Sequence, residues 1–85
     1  MPTLSMFYGI IIRMYHDDHF PPHIHALYQD YKATFDFEGN LLEGEMPVKQ
    51  KKLIEAWIEI HKEDLVANWE LSRNKEALFK ISPLV

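Results

Sequence analysis

The sequence contains no cysteine. That excludes disulfides and every cysteine-ligated zinc site, and it suits a reducing compartment such as the cytoplasm. Glycine is scarce, at three residues, and no glycine-rich phosphate-binding loop is present. Long apolar runs are missing too. The longest clean aliphatic stretch is Ile10-Ile11-Ile12, far short of the ~20 residues that a membrane-spanning helix needs. The opening Met1-Pro2-Thr3-Leu4-Ser5 has neither the basic start nor the apolar core of a signal peptide. Positive charge is in deficit, with a formal net charge of −4. This argues against a protein that coats nucleic acid through bulk electrostatics, while leaving local contact with RNA open. Nucleophile elbows and helix-turn-helix signatures are also lacking.

What is present is enough for one small folded unit. The 85 residues are 47% hydrophobic and include two Trp, four Tyr and five Phe. A single α+β domain over residues 1–85 is the expectation. A chain this short buries only about 60–65% of its unfolded surface. That thin core, with two tryptophans to anchor contacts, makes self-association an expectation as well.

Pro47 divides the chain into a strand-like half and a helical half. Residues Phe7 to Tyr15 read as one strand, apolar on both faces, with Gly9 marking a bulge or a close backbone approach. The segment His16 to Pro22 is a stiff connection, because Asp17 and Asp18 are turn formers and Pro21-Pro22 cannot donate hydrogen bonds. His23 to Gln29 and Lys32 to Phe37 alternate as two strands around a turn near Asp30. Ile24, Ala26 and Tyr28 share one face with Ala33, Phe35 and Phe37. His23, His25 and Leu27 fall on the other, with Lys32, Thr34 and Asp36. Glu38-Gly39-Asn40 reads as a hairpin turn, after which Leu41 to Glu45 could add a short further strand.

Pro47 suits the first position of a helix. From Val48 to Asn74 there is neither Gly nor Pro, and Leu53, Ile54, Trp57, Ile58, His61, Leu65, Trp69 and Ser72 recur at helical steps. This is one long helix or two shorter ones, and length favours a break near His61 to Asp64. The tail from Leu78 to Pro83 reads as a short strand or an extended cover. The predicted fold class is therefore α+β, a small antiparallel sheet of three to four strands followed by one long or two shorter helices packed on one face. The helices would cover the Ile24 and Phe35 face and leave the His23 and His25 face open.

Four of the five histidines lie within His16-Asp-Asp-His19-Phe-Pro-Pro-His23-Ile-His25. Residues two apart on a strand project from the same side, so the His23 and His25 imidazoles can converge on one atom. The proline turn can bring His16 or His19 toward them, with a carboxylate from Asp17 or Asp18. Three chemistries follow. His19, His23 and His25 could ligate a divalent transition metal, because three neutral imidazoles with an open position form a catalytic-type site. Alternatively His19, His23 and His25 could act as general acid and base on a phosphodiester, with Arg13 or Lys32 as the cation that holds the phosphate. The plainer reading makes the segment a structural corner or a protein-binding edge. His61, on the apolar stripe, reads as a satisfied core histidine. Lys49, Lys51 and Lys52 read as a solvated helix face. Glu43 and Glu45 share a side of a short strand, and nothing in the sequence supports paired-carboxylate catalysis by them.

The runs Ser5-x-Phe7-Tyr8-Gly9-Ile10-x-Ile12-x-Met14-Tyr15 and Asp18-His19-x-Pro21-Pro22-His23-x-His25 resemble the bacterial family known as domain of unknown function 4160. So do Tyr31-Lys32-Ala33, Leu42-Glu43-Gly44-Glu45-x-Pro47, Trp57 with His61 and Leu65, Asn68-Trp69 and Pro83-Leu84. The resemblance spans nearly the whole chain, and its most specific part is the D-H-x-P-P-H-x-H run. It implies a gene paired with that of another small protein, as in toxin–antitoxin modules. Expected from it are a toxin-like role in the cytoplasm, a small protein partner and RNA as a target. It assigns no catalytic residues. His16 stands where relatives often carry another residue, which leaves His19, His23 and His25 as the group to follow.

Overall fold

A computed structural model describes residues 3–16 and 18–84. In chain order the elements are β1 (Thr3–Phe7), β2 (Ile10–Arg13), β3 (His23–Tyr28), β4 (Tyr31–Asp36), β5 (Leu41–Gly44) and α1 (Val48–Arg73). The strands lie side by side in that order, each antiparallel to the next. The architecture is an α+β fold, with five strands where the sequence pattern predicts three to four.

The additional strand, β1, starts upstream of the segment expected to run as one strand from Phe7 to Tyr15, and that segment is broken after Phe7. The chain folds there as a hairpin whose two turn residues, Tyr8 and Gly9, have φ of 48° and 79°. Two positive φ values are what a tight turn needs to match the right-handed twist of its strands. Phe7 therefore pairs with Ile10, and both point into the core. Gly9 is a turn residue, not a bulge, and its Cα passes so near the Tyr28 ring that an added Cβ would lie 3.4 Å from it.

The remaining turns follow the sequence closely. Gln29 and Asp30 join β3 to β4, and the 37–40 loop joins β4 to β5. Asp36 holds that second loop together. Its carboxylate accepts hydrogen bonds from the backbone N–H groups of Glu38 and Asn40, each at 2.9 Å, and from the Asn40 side chain at 3.1 Å. Burial pushes the Asp36 pKa up, but these hydrogen bonds outweigh it and hold the carboxyl below its ordinary 3.8. At the far end of β5, Gly44 has φ of +86°, and a Cβ there would fall 2.1 Å from the Lys32 carbonyl oxygen. Only glycine fits this approach.

The predicted faces are observed. Ile10, Ile12, Ile24, Ala26, Ala33 and Phe35 are buried, against Ile54, Trp57, Ile58 and Leu65 of the helix. Phe7 and Trp57 bring their ring centroids to 5.5 Å. The helical residues run from Val48 to Arg73 as two stretches joined across a kink at His61, where the sequence favoured a break. His61 has non-helical angles of φ −110° and ψ 20°. The buried stripe continues past the kink to Leu65, Trp69 and Ser72. Pro47 sits one residue outside the helix, and its carbonyl accepts the Lys51 N–H. Both tryptophans lie in the core instead of at the surface.

The tail after the helix is an extended cover and not a strand. Asn68, fully buried, donates to the Phe79 carbonyl at 3.0 Å and accepts the Phe79 N–H at 2.9 Å. The Trp57 indole donates to the Ser82 carbonyl, and the Ile81 N–H donates to the Leu4 carbonyl beside β1. The strap thus ties α1 to the edge of the sheet.

Two stability predictions follow from these contacts. Asn68→Ala leaves both Phe79 backbone groups without their partner, at an expected loss of about 2–3 kcal/mol in urea melts; a loss below about 0.5 kcal/mol would mean the strap does not depend on it. For Asp36, a depressed folded-state pKa stabilises the protein above the unfolded pKa, and that contribution disappears as pH falls through the folded value. The expected result is that wild type loses stability more steeply than Asp36→Asn as pH falls below about 5, measured by thermal melts; parallel curves would contradict it.

Candidate functional site

Asp18 is the centre of the histidine segment. The connection after β2 folds its carboxylate back against the start of β3, where its side chain is only 16% exposed. Oδ1 accepts the backbone N–H of His19 at 2.9 Å and lies 3.0 Å from the His19 Nδ1. Oδ2 lies 2.9 Å from the His25 Nε2 and 3.0 Å from the His23 Nε2. Burial pushes the Asp18 pKa up. The hydrogen bonds from His25 and from the His19 backbone outweigh it and leave the carboxyl below 3.8.

The two strand histidines do share a side, but they do not share an environment. The His25 side chain is 27% exposed, and the Tyr15 ring packs edge-on against it at 4.4 Å between centroids. His23 is 2% exposed, which corrects the expectation that both would face an open sheet. Its place at the first position of β3 leaves it under the Phe20-Pro21 turn, and the Trp69 indole reaches it from the helix at 5.6 Å.

The burial of His23 also fixes its protons. Nδ1 lies 2.7 Å from the Pro21 carbonyl oxygen, which can only accept, so Nδ1 carries the hydrogen. Nε2 then presents its lone pair toward the carboxylate. It is buried and makes no hydrogen bond, although Asp18 Oδ2 is within 3.0 Å. A backbone carbonyl on one ring nitrogen and a free lone pair on the other is how a metal-ligating histidine is usually held. The ligand atoms of Asp18, His23 and His25 all lie within 4.8 Å of one another.

The other expected residues fall into place around this core. His19 is near, with its ring centroid 4.9 Å from that of His23, but it is 74% exposed and turned to the other carboxylate oxygen. His16 is drawn away, its Nε2 lying 2.8 Å from the Glu76 carbonyl oxygen. Asp17 lies outside the described residues. His61 packs on Trp57 with ring centroids 5.4 Å apart, remote from the site. Arg13 sits directly opposite His25 across the β2–β3 pair. Its Nε is buried without a hydrogen-bond partner.

The sheet brings in two residues that the sequence reading left outside the candidate site, Thr34 and Glu43. His25 pairs with Thr34 on β4, and Thr34 pairs with Glu43 on β5. Arg13, His25, Thr34 and Glu43 therefore form one row across four strands on the face away from the helix. A cavity of about 330 Å³ opens there, lined by His19, Phe20, His23, His25, Thr34 and Glu43. A larger groove, about 780 Å³, lies elsewhere, between the β4–β5 turn and α1, where Lys62 pairs with Glu38. It gathers no histidine and no convergent ligands.

Among the described residues no helix is long and apolar enough to cross a membrane. No curated protein and no solved structure matches the chain. A family model does match, over residues 9–70, which includes β2 to β5, the whole histidine segment and most of the helix. The chain thus belongs to the family described as Domain of unknown function (DUF4160).

Proposed function

We propose that the protein binds a divalent transition-metal ion between Asp18 Oδ2, His23 Nε2 and His25 Nε2. The observation that carries this is the buried, hydrogen-bond-free Nε2 of His23, held 3.0 Å from a carboxylate oxygen by the Pro21 carbonyl behind it. A buried polar atom without a partner costs about 1–3 kcal/mol, and a cation between the three ligand atoms removes that cost. Two imidazoles and one carboxylate suit zinc, iron(II), cobalt or nickel. In this reading Asp18 takes the third place that spacing alone gave to His19. The open side of the ion would face the 330 Å³ cavity.

A second reading uses the same contacts without a metal. His23 would carry two protons, and the cluster would work by acid–base chemistry, with His19, His23 and His25 acting on RNA beside Arg13. That would suit a toxin-like cytoplasmic member of a two-protein module, its partner on the open sheet face. The close approach of three imidazoles to one carboxylate supports it. The convergence of one carboxylate oxygen and two imidazole nitrogens within 4.8 Å of one another favours the metal.

Tag-free protein titrated with zinc or cobalt should take up about one equivalent. Because the ion binds the folded state, the melting temperature should rise as metal is added. Asp18→Asn and His25→Ala should each weaken binding about 10- to 100-fold or more, and His19→Ala should change it less than about threefold. Uptake below a tenth of an equivalent, or equal binding by all three variants and wild type, would overturn the metal reading.

A further inference from the structure

We infer that this centre hydrolyses phosphate esters, with Glu43 as the base that takes the proton from the attacking water. The inference rests on the metal reading above. Three protein ligands leave a transition-metal ion with at least one open position, the arrangement of hydrolytic sites as opposed to structural ones. That position opens into the cavity shared by His23, His25, Thr34 and Glu43. Glu43 stands two strands from His25 in the same row, a backbone separation of about 10 Å. Thr34, the residue between them, is short, and its small side chain leaves the space across which His25 and Glu43 face each other. A second small cavity joins His25, Thr34 and Glu43 to Lys32.

The charges choose the substrate. Arg13 lies opposite His25 on one side, and Lys32 lies one row away on the same face. Neither forms an ion pair among the described residues. The buried, unpartnered Nε of Arg13 adds an unused donor. Lys32 on the adjoining cavity, Arg13 in the same row as His25 and a metal ion together suit the oxygens of a phosphoryl group. The step balances without a redox partner. The oxygen of water forms a bond to phosphorus, and one of its protons passes to the Glu43 carboxylate. The phosphorus–oxygen bond to the leaving group breaks with its electron pair on that oxygen. Glu43 then returns the proton to it.

The test uses the whole zinc- or manganese-loaded protein with bis(p-nitrophenyl) phosphate as the probe. Glu43→Gln sits on an exposed edge strand, so its folding, checked by circular dichroism, should match wild type. The expected outcome is a fall in kcat of about 100-fold or more, loss of the acidic limb of the pH–rate profile, and metal affinity unchanged within about twofold. Arg13→Ala should raise KM more than it lowers kcat. Hydrolysis by Glu43→Gln at the wild-type rate would overturn the assignment. Loss of metal in Glu43→Gln would make Glu43 a ligand, and would overturn it too. Wild type that holds one equivalent of metal yet does not exceed the free ion in rate would defeat the hydrolytic inference and leave the metal reading standing. Wild type that takes up no metal would defeat both.

Discussion

One carboxylate, that of Asp18, meets three imidazoles within 3.0 Å, and the conformation of the β2–β3 connection follows from that meeting. The contact ties a proline-stiffened loop to the first and third residues of β3. It also sets the chemistry, because the Pro21 carbonyl has already taken one nitrogen of His23 and leaves the other facing the carboxylate. A buried lone pair beside a buried charge is unfavourable unless something positive lies between them. A proton or a metal ion can fill that role.

The rest of the fold serves to hold this arrangement still. A five-stranded meander places Arg13, His25, Thr34 and Glu43 in register on one face, while the other face buries its isoleucines and Phe35 under α1. Trp69 connects the two layers. It contacts Phe37 within the core, His23 at the site and Phe20 on the turn above, and Arg73 stacks over the same Phe20 ring at 4.4 Å. The C-terminal strap, clamped by Asn68 and Trp57, keeps the helix registered on the sheet edge. Rigid support of this kind is what a metal centre requires if its ligands are to converge without reorganisation.

Much of this was legible in the residues. Period two assigned the faces of β3 and β4 correctly, and the helical stripe named most of the helix core. The hairpin at Tyr8-Gly9 was hidden because Tyr is an unusual residue for a positive φ and the surrounding apolar run looks continuous. The signal lay in Phe7 and Ile10, three apart and both inward, which a single strand cannot satisfy. The helix kink at His61 falls where helix length favoured a break, with no glycine or proline to mark it. At the site, spacing identified His23 and His25 but could not separate Asp18 from His19 as their companion, since that depends on how the loop folds back. Glu43 was read beside Glu45 and set aside, because only the pairing of three strands brings it into one row with His25, eighteen positions away.

The most direct test is a crystal structure of the zinc-soaked protein with data collected at the zinc edge. One anomalous peak is expected, bounded by Asp18 Oδ2 and the Nε2 atoms of His23 and His25 at about 2.0–2.2 Å, with the Pro21 carbonyl still on His23 Nδ1. A peak held by His19 in place of Asp18, or no peak while His23 Nε2 donates a hydrogen bond to the carboxylate, would contradict it.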